Sequence, residues 1–156
     1  MKKISILGAG WLGNPLALQL KSNGHQLKVS TTTPEKISFF NDNGIERFIV
    51  NVGSNSDTEN LNNLLTDVDI LIITIPPGRS KPSESTYVDR IKSIIPFIEK
   101  HGIKSVIYTS STTVYLSLKG NVNEETPIVP ISEMDQQIFE IENLLLNNSA
   151  RRYTEF

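Results

Sequence analysis

The chain has 156 residues, with 15 Lys and Arg against 17 Asp and Glu, one Trp and no Cys. That length suits one domain able to bury roughly 70% of its unfolded surface. A formal charge of −2 and a pI near 5.7 argue against a nucleic-acid partner, which needs a dense cationic patch, and the lack of Cys excludes disulfides, thiolate nucleophiles and zinc–sulfur sites.

Met1-Lys2-Lys3 opens the chain with positive charge, but only Ile4 to Gly10 is apolar before Trp11. A secretory core or membrane span needs a longer run, so a soluble, cytoplasmic protein with no membrane partner is expected. Lys3–Leu7 has the branching of a buried parallel strand. Asn14–Asn23 follows as a helix with Leu16, Ala17 and Leu20 on one face, closed by Gly24. Gln26–Thr31 and Arg47–Val52 read as weaker strands, and Glu59–Thr66 as a helix carrying Leu61, Leu64 and Leu65. Asp69–Ile75 is the next strand. Tyr87–Lys100 spaces Val88, Ile91, Ile94, Ile95 and Ile98 as a helix closed by His101-Gly102, with Pro96 inside predicting a bend or a local break. Ser105–Thr109 is a fifth strand, and a last helix, about Ile131 to Leu146, presents Met134, Ile138, Ile141 and Leu145 to one side.

Strand and helix alternate five times, which predicts an α/β fold with a doubly wound parallel sheet, the Rossmann arrangement. Residues 147–156 read either as a frayed tail of a five-stranded sheet or as the start of a sixth strand. In the second case the chain is cut short of that strand and of the substrate segment after it. Either way, residues 1–156 form one domain, and strand five lies close to an exposed edge.

Gly8-Ala9-Gly10-Trp11-Leu12-Gly13 is G-x-G-x-x-G, directly after the first strand and opening the first helix. Such a loop turns at its first Gly, lets a pyrophosphate approach at its second, and packs helix on strand at its third. The helix N-terminus adds unpaired N–H groups for the phosphates. A dinucleotide is the expected ligand, with Trp11 packing beside the loop. About 20 residues on, where a carboxylate would hold the adenosine ribose, stand Ser30-Thr31-Thr32-Thr33-Pro34-Glu35-Lys36. Thr31, Thr32 and Lys36 tolerate a 2′-phosphate, which favours NADP and keeps NAD as the alternative; a plain polar loop is the other reading. Ile75, Pro76, Pro77 and Thr109, at the ends of the fourth and fifth strands, complete the candidate cofactor-binding set. Pro76-Pro77-Gly78-Arg79-Ser80 is either a rigid turn or a wall of the nicotinamide pocket, with Arg79 near phosphate or substrate.

Thr109-Ser110-Ser111-Thr112-Thr113-Val114-Tyr115 resembles the strand-five signature of extended short-chain dehydrogenases/reductases, the NAD-dependent epimerase/dehydratase group. Val122-Asn123-Glu124-Glu125-Thr126-Pro127, Pro130 and Glu142 resemble later positions of that group. Ile75-Pro76-Pro77-Gly78-Arg79 and the spacing of the glycine loop mark an atypical branch. The resemblance implies that Ser111 hydrogen-bonds the substrate oxygen and that a homodimer forms through the helices around 87–100 and 131–146. It also implies a Tyr acid/base and a Lys four residues later, but Met134 and Ile138 occupy those positions. Neither moves a proton, and both fit the apolar face of the helix. Tyr115 is the remaining phenol of the signature, with Lys119 four residues on in a loop.

The expected function is therefore the cofactor domain of an atypical NADP-dependent oxidoreductase or epimerase. A non-catalytic NADP(H)-sensing protein and the first domain of a hydroxyacid-type dehydrogenase are the alternatives. Asp67 and Asp69 are spaced like a metal pair, but they fall at a helix end and a strand start. His25 and His101 stand beside helix-closing glycines, where capping is the expected role.

Overall fold

In the computed structural model, which describes residues 1–54, 57–77, 85–115, 120–123, 125–147 and 152–155, the apolar stretch near the start of the chain becomes the central strand. This strand, β1 (Lys3–Leu7), pairs in parallel with β2 (Gln26–Thr31) on one side and with β4 (Ile70–Ile73) on the other. Beyond β2 lies β3 (Glu46–Ile49); beyond β4 lie β5 (Ser105–Tyr108) and β6 (Arg152–Glu155). The order is β3-β2-β1-β4-β5-β6 and every pairing is parallel, which is the doubly wound fold expected from the alternation.

The two faces of β1 explain the two helical layers. Ile4 and Ile6 pack with Ala17 of α1 (Gly13–Ser22) and Phe40 of α2 (Ile37–Asp42). Leu7 joins the opposite layer, with Leu64 of α3 (Thr58–Leu65), Ile91 of α4 (Tyr87–Lys100) and Ile141 of α5 (Glu133–Leu146). Helices α1 and α4 close as predicted. Gly24 N–H bonds Lys21 and His25 N–H bonds Leu20, while Gly102 and Ile103 repeat the pattern on Glu99 and Ile98.

Several expectations change. Arg152–Glu155 forms a sixth strand, which the five-strand reading lacked: β6 pairs with β5 over four residues, the length of β3, β4 and β5. Strand five is consequently interior, and β3 and β6 are the edges. Of the bend or local break expected at Pro96, the break does not occur: α4 is continuous through Pro96, where Pro96 and Lys92 are both exposed. α2 is unexpected: a 3₁₀ turn at Pro34–Lys36 leads into it, and Phe40 is its fully buried anchor. α5 starts at Glu133 rather than Ile131, since Ser132 caps it and Asp135 returns a bond to the Ser132 N–H. Its apolar face is covered only from Ile138 onward. Met134 lies in the first turn, 37% exposed, and does not belong to the core.

Candidate functional site

Sheet order reverses between β1 and β4, so the loops after these strands diverge and leave a crevice at the carboxyl edge. The crevice is a cleft of about 410 Å³ lined by the glycine loop, by Ser30–Thr33 after β2, by Val50, and by Thr74, Ile75 and Pro76 after β4. That volume falls in the range of small-molecule sites.

The glycine loop is fixed from below. Ser30 Oγ accepts from the Gly8 N–H at 2.8 Å, and the Ser30 carbonyl accepts from the Ala9 N–H at 2.6 Å. Gly8 has φ +111°, and a Cβ there would sit 2.8 Å from an Ile75 methyl. At Gly13 a Cβ would meet the Gly8 carbonyl at 2.3 Å and Thr74 Oγ1 at 2.9 Å. At Gly10 a Cβ would meet nothing within 4 Å. The first and third glycines thus serve backbone packing, whereas the second leaves open space on the cleft side. Among the described residues the Trp11, Leu12 and Gly13 N–H groups find no acceptor. Unpaired N–H groups at the start of a ten-residue helix, over an open Gly10, fit a pyrophosphate.

The other predicted residues divide. Thr31 is buried and its Oγ1 accepts from the Thr33 N–H at 3.1 Å; Thr32 is exposed at the rim. The Pro77 carbonyl accepts from the Arg90 guanidinium instead of lining the cleft. Thr109 does not reach the cleft either, because its hydroxyl donates to the Ile73 carbonyl at 3.1 Å. Trp11 does not pack beside the loop; it is 94% exposed at the cleft rim. The Lys36 side chain, Gly78, Arg79, Ser80 and Lys119 lie outside the described residues.

Ser111 and Tyr115 line a second cavity of about 580 Å³, with Ser110, Asn123, Phe139 and Glu142. Ser111 Oγ accepts from the Thr113 hydroxyl at 3.1 Å, and the Ser110 hydroxyl donates to the buried Glu142 carboxylate. At the two positions where proton transfer was sought, Met134 is exposed and Ile138 is in the core. Among the described residues no three His, Asp or Glu are grouped to hold a metal ion. Asp67 pairs with Lys3, and Asp69 accepts from the Lys3 N–H at 2.9 Å. His25 accepts from the Lys2 N–H at 3.1 Å, and His101 is itself the C-cap of α4.

Three supporting residues were not foreseen: Ser30, Thr74 and Arg90. Ser30 lay in the window after the loop, and Thr74 directly precedes Ile75-Pro76. Arg90 had no local signal. It reaches from α4 to Pro77, with its guanidinium 5.3 Å above the Tyr87 ring, and its stem would lie 3.0 Å from a Cβ at Gly53. Tyr87 in turn donates to the Ile75 carbonyl at 2.8 Å and lies 3.1 Å from the Tyr108 hydroxyl. Burial pushes its phenol above the ordinary value of 10.0, against the opposing effects of Tyr108 and Arg90.

Comparison with known proteins agrees with this geometry. A family model described as NAD(P)H-binding matches residues 8–154, from the first glycine of the loop into β6. The chain belongs to that NAD(P)H-binding family. It is 35% identical over 149 residues to protein YeeZ of Escherichia coli K12, covering 94% of this chain and 54% of that one. It superposes on UDP-glucose-4-epimerase of Stenotrophomonas maltophila, a structure with bound NAD, with TM-score 0.78 at 13% identity, over 99% of this chain and 52% of the other. A short-chain dehydrogenase/reductase superfamily protein of Agrobacterium tumefaciens, also with bound NAD, gives TM-score 0.74 at 16% identity, over 98% and 48%. At those identities the likeness is one of fold. This chain spans about half the length of the proteins it matches. No helix among the described residues is long and apolar enough to cross a membrane.

Proposed function

We propose that this NAD(P)H-binding domain takes NADP(H) in preference to NAD(H) and does not by itself carry out dehydrogenase or epimerase turnover. The pyrophosphate lies over Gly10 against the N–H groups of Trp11, Leu12 and Gly13, with Gly8 and Gly13 holding the loop. Thr31 and Thr32 stand on the adenosine-ribose side, while Ile75 and Pro76 form the wall on the nicotinamide side. The preference follows from the end of β2: Ser30–Thr33 carries hydroxyls and no carboxylate, so nothing there repels a 2′-phosphate.

One observation carries the lack of turnover. Ile138 is 2% exposed in the core, where the resembled enzymes would need a Lys, and Met134, one turn before it, has no proton to give. The bound dinucleotide supplies a hydride donor or acceptor. In this chain Ser111 is left to hold a substrate oxygen, with Tyr115 the nearest phenol of the signature in the same cavity. The buried Ile138 also favours a second reading, an NADP(H)-sensing protein that passes its ligand state to a partner.

NADPH fluorescence titration should saturate and give a lower Kd than NADH; tighter NADH binding rejects the preference. Absorbance assays with nucleotide-sugars and small carbonyl compounds should show no substrate-dependent oxidation of NADPH. Oxidation that disappears in Ser111→Ala rejects the inactive reading and makes Tyr115 the first acid/base to test.

A further inference from the structure

The indole of Trp11 is the one large aromatic surface that the fold leaves almost wholly in water beside the cleft. It is 94% exposed, Leu12 next to it is 44% exposed, and no other aromatic side chain lines the cleft among the described residues. Trp is on average a highly buried residue, and its ring contributes more contact area than any other side chain. Its neighbours on the cleft floor are Gly8, Ala9 and Gly10, which have no side-chain bulk to cover a ligand from outside. A dinucleotide lying on that floor would have its inner side against the backbone and its outer side open to water.

We infer that the Trp11 side chain closes over the outer side of the bound dinucleotide where its pyrophosphate and adjoining ribose cross the glycine loop. The inference rests on the cofactor reading above but concerns the side chain, which the glycine pattern does not specify. The indole face covers the ribose C–H surface, and its bulk keeps water from the phosphate contacts of the loop N–H groups. Hydrogen bonds shielded from water are stronger, so the cover raises affinity without making a charged contact. Trp11 is then a binding residue whose ring is left in water only when the ligand is absent.

The chain has one Trp, so its fluorescence reports this ring alone. Calorimetric titration with NADP first establishes whether the ligand binds. Acrylamide quenching of the indole is then compared with and without saturating NADP, and the Kd values of Trp11→Ala and Trp11→Phe are measured by calorimetry. The expected results are a several-fold fall in quenching on binding, a roughly tenfold weaker Kd for Trp11→Ala and a Kd within about threefold for Trp11→Phe. Thermal melts of both variants without ligand should match the parent, since the ring packs on nothing. Absence of NADP binding by the parent overturns the cofactor reading and this inference together. Binding with unchanged quenching, or with Trp11→Ala equal to the parent, overturns only the role of Trp11. Quenching that falls with rising protein concentration in the absence of NADP also overturns it, by showing that a second copy covers the ring.

Discussion

The Thr74 hydroxyl donates to the Gly8 carbonyl across 2.6 Å, tying the end of β4 to a loop 66 residues earlier in the chain. The same two groups are what a side chain at Gly13 would strike. Gly8, Gly13 and Thr74 therefore form one packed unit beneath the cleft, and Gly10 stands outside it.

This separation predicts opposite behaviour for two glycines of one motif. Gly13→Ala should lower stability by about 1–3 kcal/mol through overpacking against backbone, measured by urea denaturation. Gly10→Val should leave the denaturation midpoint unchanged and abolish NADPH binding. Retained binding in Gly10→Val would remove the pyrophosphate from this loop.

Thr74→Val keeps the shape of the side chain and loses the donor. A cost of about 1 kcal/mol is expected, with several-fold weaker NADPH binding because the Gly8 turn loosens. Thr74→Ser should restore both. A Val variant that binds like the parent would show that the loop holds its shape without this bond.

The Ser110 hydroxyl and the Glu142 carboxylate join the loop after β5 to α5 at a site 8% exposed at Glu142. Glu142→Ala leaves that hydroxyl without its acceptor and should cost about 1–3 kcal/mol. Glu142→Gln, which keeps an acceptor, should cost less. NADPH affinity should be unchanged in both, since the pair lines the other cavity; a shift in Kd would show the two cavities to be linked.

Acid unfolding should come in two stages. Burial, aided by the charges of Lys100 and Lys28, holds His101 below its ordinary 6.5. Its neutral form is the one the fold favours, so its contribution is full above pH 6.5 and is lost as pH falls through the depressed value. The hydroxyls of Thr86 and Ser132, first among several causes, hold Asp89 and Asp135 below 3.8. Their contribution is full above pH 3.8 and is lost as pH falls further. Thermal melts between pH 7 and 2 should show both stages, and His101→Gln should remove the first. An unchanged first stage in that variant would assign it to another group.

Two copies are expected to pair through α4 and α5, which already meet through Lys92 and Glu140 at 2.8 Å on the outer surface. Sedimentation should show a dimer at high micromolar concentration, and Lys92→Glu should weaken it by setting like charges side by side. A monomer in the parent rejects the pairing.

The strands and the glycine loop were legible because local pattern decides them. Branched apolar runs such as Lys3–Leu7 have no exposed face, and G-x-G-x-x-G needs only its neighbours. α2 was missed because Ile37, Phe39 and Phe40 favour strands locally, while Phe40 is helical for the sake of a pocket formed with Ile4, Ile6 and Val29. Trp11 and Met134 were misplaced for one shared reason. Periodicity states which residues share a side of a helix or loop, but not where along it the covering layer stops. Arg90 joins residues 13 positions away at Pro77 and 37 away at Gly53, and no spacing rule reaches across two loops.

The central place of β1 also bears on how the chain reaches this state. β1 is synthesised well before its second neighbour, β4, which starts 66 residues after Ile4, at Ile70. Until that segment emerges, one side of the strand has no partner and its apolar side chains have only half of their final cover. At roughly 5–20 residues per second of synthesis the wait lasts several seconds. Long-range pairing of this kind forms slowly, so in the interval between β2 and β4 the open edge of β1 is a place where unfinished chains can associate.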